Sequence, residues 1–365
     1  MSDTMAMPDQ STARGLLVTL VETPSVSGEE KACTEQLVTF FENHDREVWT
    51  DEVGNVHAPA DDGVLLTSHI DTVPGTVPVR VAETENGNRA LWGRGSVDAK
   101  GSLVAMAVAA VQTGASFLGV VGEETDSRGA RHAVDTRDAP DAVINGEPSG
   151  WDAITLGYRG IVTATYTLAT DTTHTAGPDS NAIQEVIDWY THIEHGLTEL
   201  ASDTETFECV TGKPVAIDGS PSDDGMTVET TIEVEFRLPP GESVTTLQQR
   251  IESMTDSGSI EWTDGIEPVM ESPRTPVARA FRVAIRDAGG DPDLLRKTGT
   301  SDMNVFAKSW DCPMVTYGPG DSTLDHTPNE HLVLSELDRA VDVLTAATEQ
   351  LLASNEPTEQ TETEP

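Results

Sequence analysis

The chain has 365 residues, with 63 acidic side chains against 22 basic ones and a formal net charge of −41. Nothing in that balance would neutralise phosphates, which excludes free nucleic acid and anionic membrane surfaces as partners. No apolar run reaches the roughly 18 residues of a membrane span, and residues 1–10 lack the basic and apolar regions of a signal peptide. A soluble cytoplasmic protein is therefore expected.

High charge can leave a chain unfolded. Apolar runs such as Val64-Leu65-Leu66 and Phe117-Leu118-Gly119-Val120-Val121 recur here, however. The better reading is a folded, halophilic protein whose acidic surface concentrated salt screens. Cys33, Cys209 and Cys312 are too few and too scattered for a disulfide framework.

In chain order, helical periodicity covers 15–22 and 30–44. The apolar run 64–68 ends in turn residues and suits a buried parallel strand. The segment 100–113, rich in Ala, Val and Met, reads as a buried helix, followed by a second central strand over 116–122. Segments 142–144 and 314–317 add two more strands. Strands alternating with helices imply an α/β sheet covered on both faces.

The region 159–266 breaks that rhythm. It reads as strand 161–167, helix 180–195, two strands of which the second spans 226–238, helix 243–254 and strand 259–262. In 228–236 one face is apolar and the other carries Glu229, Thr231, Glu233 and Glu235, the pattern of a half-exposed antiparallel strand. The βαββαβ order is the ferredoxin-like, split-βαβ motif. The expected organisation is a catalytic domain formed by two segments, 11–157 and 268–353, with an α+β domain inserted between them at 158–267. The second catalytic segment carries a helix through 279–287. Residues 354–365 form an acidic tail expected to be disordered, and residues 1–10 are expected to be loose.

Five segments place acidic residues or histidine just after apolar runs. They are Ser68-His69-Ile70-Asp71-Thr72, Gly93-Arg94-Gly95-Ser96-Val97-Asp98-Ala99-Lys100-Gly101, Gly122-Glu123-Glu124-Thr125, Asn145-Gly146-Glu147-Pro148-Ser149, and Tyr317-Gly318-Pro319-Gly320-Asp321 running on to His326. In an open α/β sheet, ligands bind beyond the carboxyl ends of the strands. Residues remote in sequence can meet there. Imidazole and carboxylate suit zinc, and the absence of thiolates leaves cobalt or manganese open. Two histidines with three carboxylates exceed one open catalytic site but fit two divalent metals bridged by a carboxylate. A further carboxylate must move the proton of the attacking water. Asp126 and Asp325 read as surface charges, and His44, His57, His132, His192, His195 and His331 as structural.

These motifs, in this order, closely resemble the M20 metallopeptidases and amidohydrolases over about 15–354. The resemblance implies a zinc-exopeptidase-like catalytic domain with an inserted ferredoxin-like lid and dimerisation domain. It implies two divalent ions per subunit, zinc or cobalt, with His69 and Glu147 on one, Glu124 and His326 on the other, and Asp98 bridging. Glu123 would be the general base, and the Asp71 carboxylate would orient His69 through its far ring nitrogen. His174 resembles the lid histidine that reaches a partner subunit's site in a homodimer. Arg237 would grip a substrate carboxylate or, alternatively, form a strand-end ion pair. Thr298-Gly299-Thr300-Ser301-Asp302 would line the pocket through its backbone.

Finer likeness, in Leu156-Gly157-Tyr158-Arg159-Gly160 and Lys297-Thr298-Gly299-Thr300-Ser301-Asp302-Met303-Asn304, lies with one branch of the family. That branch frees lysine or ornithine from the C-terminal glutamate of a small acidic amino-group carrier protein, in lysine or arginine biosynthesis. Acetylornithine deacetylase and succinyl-diaminopimelate desuccinylase are the alternatives within the family. A non-enzymatic binding module is the alternative outside it, against which every ligand position is intact. Arg89, Arg94, Arg128, Arg131, Arg159, Arg296 and Lys297 are the candidates for docking an acidic carrier.

Overall fold

The computed structural model describes residues 7–174, 176–198 and 205–355. Residues 1–6 and 356–365, covering most of the segments expected to be loose or disordered, lie outside these. Two compact units emerge: Met1–Leu156 with Glu271–Leu295 and Ser301–Pro365, and Gly157–Met270 with Arg296–Thr300.

The first unit is built on parallel strands. Asp61–His69 lies between Ala115–Val120 and Val143–Gly146, parallel to both, and Met314–Gly318 continues the parallel set beyond Val143–Gly146. Val56–Ala58 and Gly150–Tyr158 flank this set as antiparallel neighbours. A strand with partners on both sides and cover on both faces is apolar throughout, which is why Asp61–His69 is buried from Gly63 onward.

Helix Lys100–Thr113 is buried on every face from Lys100 to Ala110 and ends on Gly114 at φ 76°, the left-handed conformation glycine adopts freely. Other helices begin earlier than apolar periodicity indicates, because polar caps start them. Asp9 accepts from the Thr12 N–H to open Gln10–Glu22, and Thr275 caps Pro276–Asp287 with proline at its start. At the other end, helix Leu334–Asn355 takes in Ser354 and Asn355, two residues past the expected boundary of the tail.

The second unit has its own core. Strand Gly160–Asp171, helix Ala182–Thr198, strands Thr211–Pro221 and Thr227–Leu238, helix Val244–Ser253 and strand Ser259–Trp262 follow one another. The antiparallel sheet runs Thr211–Pro221, Thr227–Leu238, Gly160–Asp171, Ser259–Trp262. Ile232, Val234 and Phe236 point inward, where they join Tyr166, Trp189, Ile193, Leu247 and Ile251.

Candidate metal centre

The parallel strands of the first unit deliver the site. His69 is the last residue of Asp61–His69, Glu123 follows Ala115–Val120 by three residues, and Glu147 directly follows Val143–Gly146. The turn into Glu123 needs Gly122, whose φ of 77° strains any residue with a Cβ. His326 lies beyond Met314–Gly318, itself at φ 59°, a conformation uncommon for a non-glycine residue.

Two clusters form from these residues: His69, Glu123 and Glu147, and Asp98, Glu124 and His326, each with ligand atoms within 4.8 Å of one another. Asp98 belongs to both neighbourhoods. Its Oδ1 is 3.2 Å from His69 Nε2, and its Oδ2 is 3.1 Å from His326 Nε2. His69 Nε2 is also 3.8 Å from Glu147 Oε2, and His326 Nε2 is 3.1 Å from Glu124 Oε2. Ligands about 2.1 Å from a common tetrahedral ion lie about 3.4 Å apart, so these spacings suit a divalent metal.

The supporting contacts differ in one respect from expectation. The Asp71 carboxylate is 3.6 Å from His69 Nδ1, too long for a hydrogen bond, whereas the Asp71 carbonyl is at 3.0 Å. The carboxylate instead accepts the N–H groups of Glu123 and Glu124, both at 3.1 Å, and the Ser27 hydroxyl at 2.6 Å. Asp71 therefore clamps the Glu123–Glu124 turn, and its backbone orients the imidazole. Glu330 is also fully buried and accepts from Val97 N (3.0 Å), Asp98 N (3.2 Å) and Arg94 Nη1 (2.7 Å). This carboxylate ties the Asp98 loop to the segment carrying His326, four residues away.

Negative charge is in surplus here. Burial, then the Glu147 charge, push the Glu123 carboxyl well above the usual carboxylate range. Burial and Asp98 raise Glu124 likewise. Burial alone would raise Asp98, but hydrogen bonds from His326 and His69 outweigh it and hold Asp98 low. Asp71 stays at about 2 because His69, Ser27 and the Glu124 N–H outweigh its burial. The Asp98 hydrogen bond carries His326 up to about 9. Buried carboxylates that resist ionising beside histidines that resist neutralising form a donor set suited to divalent cations.

The sequence pattern of Peptidase family M20/M25/M40 matches residues 65–350. The chain belongs to this family. It is 40% identical over 362 residues to the LysW-lysine hydrolase of Deinococcus radiodurans, covering 94% of this chain and 98% of that one. A putative LysW-lysine/LysW-ornithine hydrolase of Thermococcus kodakarensis is 37% identical over 343 residues, 92% of this chain and 91% of that one. Among solved structures, the YXEP protein of Bacillus subtilis, a dinuclear metal-binding M20 peptidase, superposes with a TM-score of 0.68 at 13% identity, covering 94% and 98% of the two chains. The chain is thus a metal-dependent amidohydrolase with the mixed α/β fold of the M20 family.

Of the remaining expected M20 residues, His174 and Arg237 lie in the second unit. His174 is exposed on a turn where its Nδ1 accepts from the Ala176 N–H at 3.1 Å. Arg237 donates to Glu235 at 2.9 Å and to Thr300 at 3.4 Å, the geometry of the strand-end ion pair. Asp302, in the first unit, departs from a backbone-only role. Its side chain is buried, and desolvation, helped by the Asp71 charge, pushes it up to about 7 against the pull of His69 and Ser127. Several arginines expected at a docking patch hold internal partners instead: Arg94 with Glu330, Arg128 with Glu30, Arg296 with Glu205 and Glu208, and buried Arg159 with the Cys209 and Arg237 carbonyls. These pairings join segments distant in sequence, and no local pattern announces them. For Ser27 the chain offered no signal; for Glu330 the only hint was an acidic residue close after His326.

With His326 raised to about 9, the metal-free protein carries a proton on its imidazole at pH 7. A metal takes the neutral ring, so uptake releases that proton, and affinity rises with pH up to about 9 by as much as about tenfold per unit. Titration calorimetry at pH 7 in two buffers of different ionisation enthalpy should show proton release. Identical heats in both buffers would contradict it.

Proposed function

We propose that this chain hydrolyses the amide joining lysine or ornithine to the C-terminal glutamate of a LysW-type amino-group carrier protein, releasing the free amino acid in lysine and arginine biosynthesis. The carrying observation is near-full-length identity of 40% to a LysW-lysine hydrolase, combined with two intact ligand clusters.

His69 and Glu147 are assigned to one ion and Glu124 and His326 to the other, with Asp98 between them; zinc or cobalt suits these donors. Two ions held there would polarise the scissile carbonyl and make water a stronger acid. Glu123 is assigned as general base. Two cations beside it would favour its ionised form, which burial disfavours in their absence, so that it could accept a proton from the attacking water and hand it to the nitrogen of the leaving amine. Asp71 holds the Glu123 backbone while that exchange occurs. Arg237 is assigned to a substrate carboxylate, reached by exchanging its Glu235 partner.

The second unit, whose strand order is that of a ferredoxin-like fold, is assigned as lid and dimerisation domain. Its edge strand Thr211–Pro221 exposes Val215 and Ile217, and the helix beside it exposes Ile183 and Ile187. An unpaired edge with exposed apolar residues is a template for a second copy. His174 would then reach across the dimer to stabilise the developing oxyanion.

Carrier-bound lysine, carrier-bound ornithine, acetylornithine and succinyl-diaminopimelate, assayed in parallel, separate the substrates. Turnover of the carrier conjugates is expected, faster at about 1 M than at about 0.1 M salt if the −41 surface is halophilic. Turnover of acetylornithine alone would show the substrate assignment to be wrong. Glu123→Gln should keep both ions and lose about 10²–10⁴ in kcat; full activity would remove Glu123 as base. Sedimentation equilibrium should give twice the 39.0 kDa chain mass, and a monomer would remove the dimer.

A further inference from the structure

In a chain this acidic, one stretch is anomalous. Residues 272–286 carry four arginines, Arg274, Arg279, Arg282 and Arg286, and no acidic residue. Three of them lie on helix Pro276–Asp287 at positions i, i+3 and i+7, which is a single helical face. The opposite face, including Val277, Phe281 and Ile285, is buried in the core.

Elsewhere many arginines of this protein are neutralised within the fold. Arg14 pairs with Asp338, Arg94 with Glu330, Arg128 with Glu30 and Arg137 with Asp62. None of the four arginines above makes an ion pair or a side-chain hydrogen bond among the described residues. Arg279 and Arg286 are exposed, and Val283, between them on the same face, is 44% exposed. Arg282 is half-buried, and its Nε is shielded from solvent without a hydrogen-bond partner.

The place of this face in the fold matters as much as its charge. Just beyond the helix, Gly290 packs against Trp151 and Asp152. Gly150 pairs with Gly318, the final residue of Met314–Gly318, and Glu147 emerges three residues earlier. The Arg286 end of the helix is therefore at the carboxyl end of the sheet, the end that holds the two ligand clusters.

We propose that the arginine face of helix Pro276–Asp287 docks an acidic polypeptide, the one that presents the scissile amide to the metal centre. Guanidinium forks match carboxylates in pairs, and Val283 offers an apolar contact between them. A polyanionic nucleic acid fits the same stripe less well, because the rest of the chain would repel its long backbone. The identity of the polypeptide as substrate carrier rests on the function proposed above; the docking chemistry does not.

The probe is a fluorescein-labelled octaglutamate peptide, titrated by anisotropy in about 1 M KCl, where a Debye length of about 3 Å screens the repulsion of the whole chain but spares direct contacts. Arg279→Glu/Arg286→Glu should bind it at least about tenfold more weakly than wild type, with an unchanged melting temperature. Arg279→Lys/Arg286→Lys should recover most of the affinity. If the double reversal disturbs folding, the single changes Arg279→Gln and Arg286→Gln at exposed positions should each weaken binding severalfold. With carrier-linked lysine, the double reversal should raise KM about tenfold and leave kcat at the wild-type value. Unchanged peptide binding in the reversed variant would overturn the docking surface. Stripe-dependent peptide binding by a wild type that does not hydrolyse carrier-linked lysine would instead retire the substrate assignment and keep the surface. A gain of about tenfold on removing residues 356–365 would mean that the chain's own acidic end is the occupant, which overturns the assignment to a partner.

Discussion

The Asp98 carboxylate offers one oxygen to each of two imidazoles, at 3.2 and 3.1 Å, within a pocket that also holds Glu123, Glu124 and Glu147. So many carboxylates drawn out of water repel one another, and two histidines cannot balance them. Burial, and then that repulsion, make Glu123 and Glu124 reluctant to ionise, and the hydrogen bond to Asp98 makes His326 reluctant to lose its proton. Divalent cations resolve the conflict. The fold is arranged to present this unresolved charge at the carboxyl ends of its parallel strands.

Holding such a pocket open requires contacts that do not bind metal themselves. Asp71 grips consecutive backbone N–H groups of the Glu123–Glu124 turn, and Ser27 fixes Asp71. Glu330 does the same for Val97 and Asp98, with Arg94 balancing its charge. Both of these buried anions thus find a cation or a set of donors, as burial demands. One clamp acts on the Glu123–Glu124 turn and the other on the Val97–Asp98 loop.

Much of this is legible in the residues alone. Apolar runs locate the central strands to within a few residues, because a doubly covered parallel strand must be apolar along its length. Alternation in 228–236 places Ile232, Val234 and Phe236 inward. Five of the six residues of the two clusters stand out because each closes an apolar run or sits in a glycine-rich turn; His326, eight residues beyond Gly318, is marked only by its place after the fifth motif. Less visible are contacts set by long-range packing. The Asp71 carboxylate, expected on His69, is found on the Glu123–Glu124 backbone. Arginines expected at a docking face neutralise Glu330, Glu30, Glu205 and Glu208. Nothing local in a sequence distinguishes a free arginine from a paired one, since the partner comes from a distant segment. Helix starts escape for a related reason: Asp9 and Thr275 act through single cap hydrogen bonds that apolar periodicity does not register.

The role proposed for Asp98, as the carboxylate shared by the two ions, is tested most directly by metal stoichiometry in Asp98→Asn, which removes the charge and keeps the shape. Wild-type apoprotein titrated with zinc or cobalt should take up two equivalents per chain, and the variant should retain at most one with comparable affinity. Two equivalents bound by Asp98→Asn as tightly as by wild type would contradict the assignment of Asp98 as the bridge.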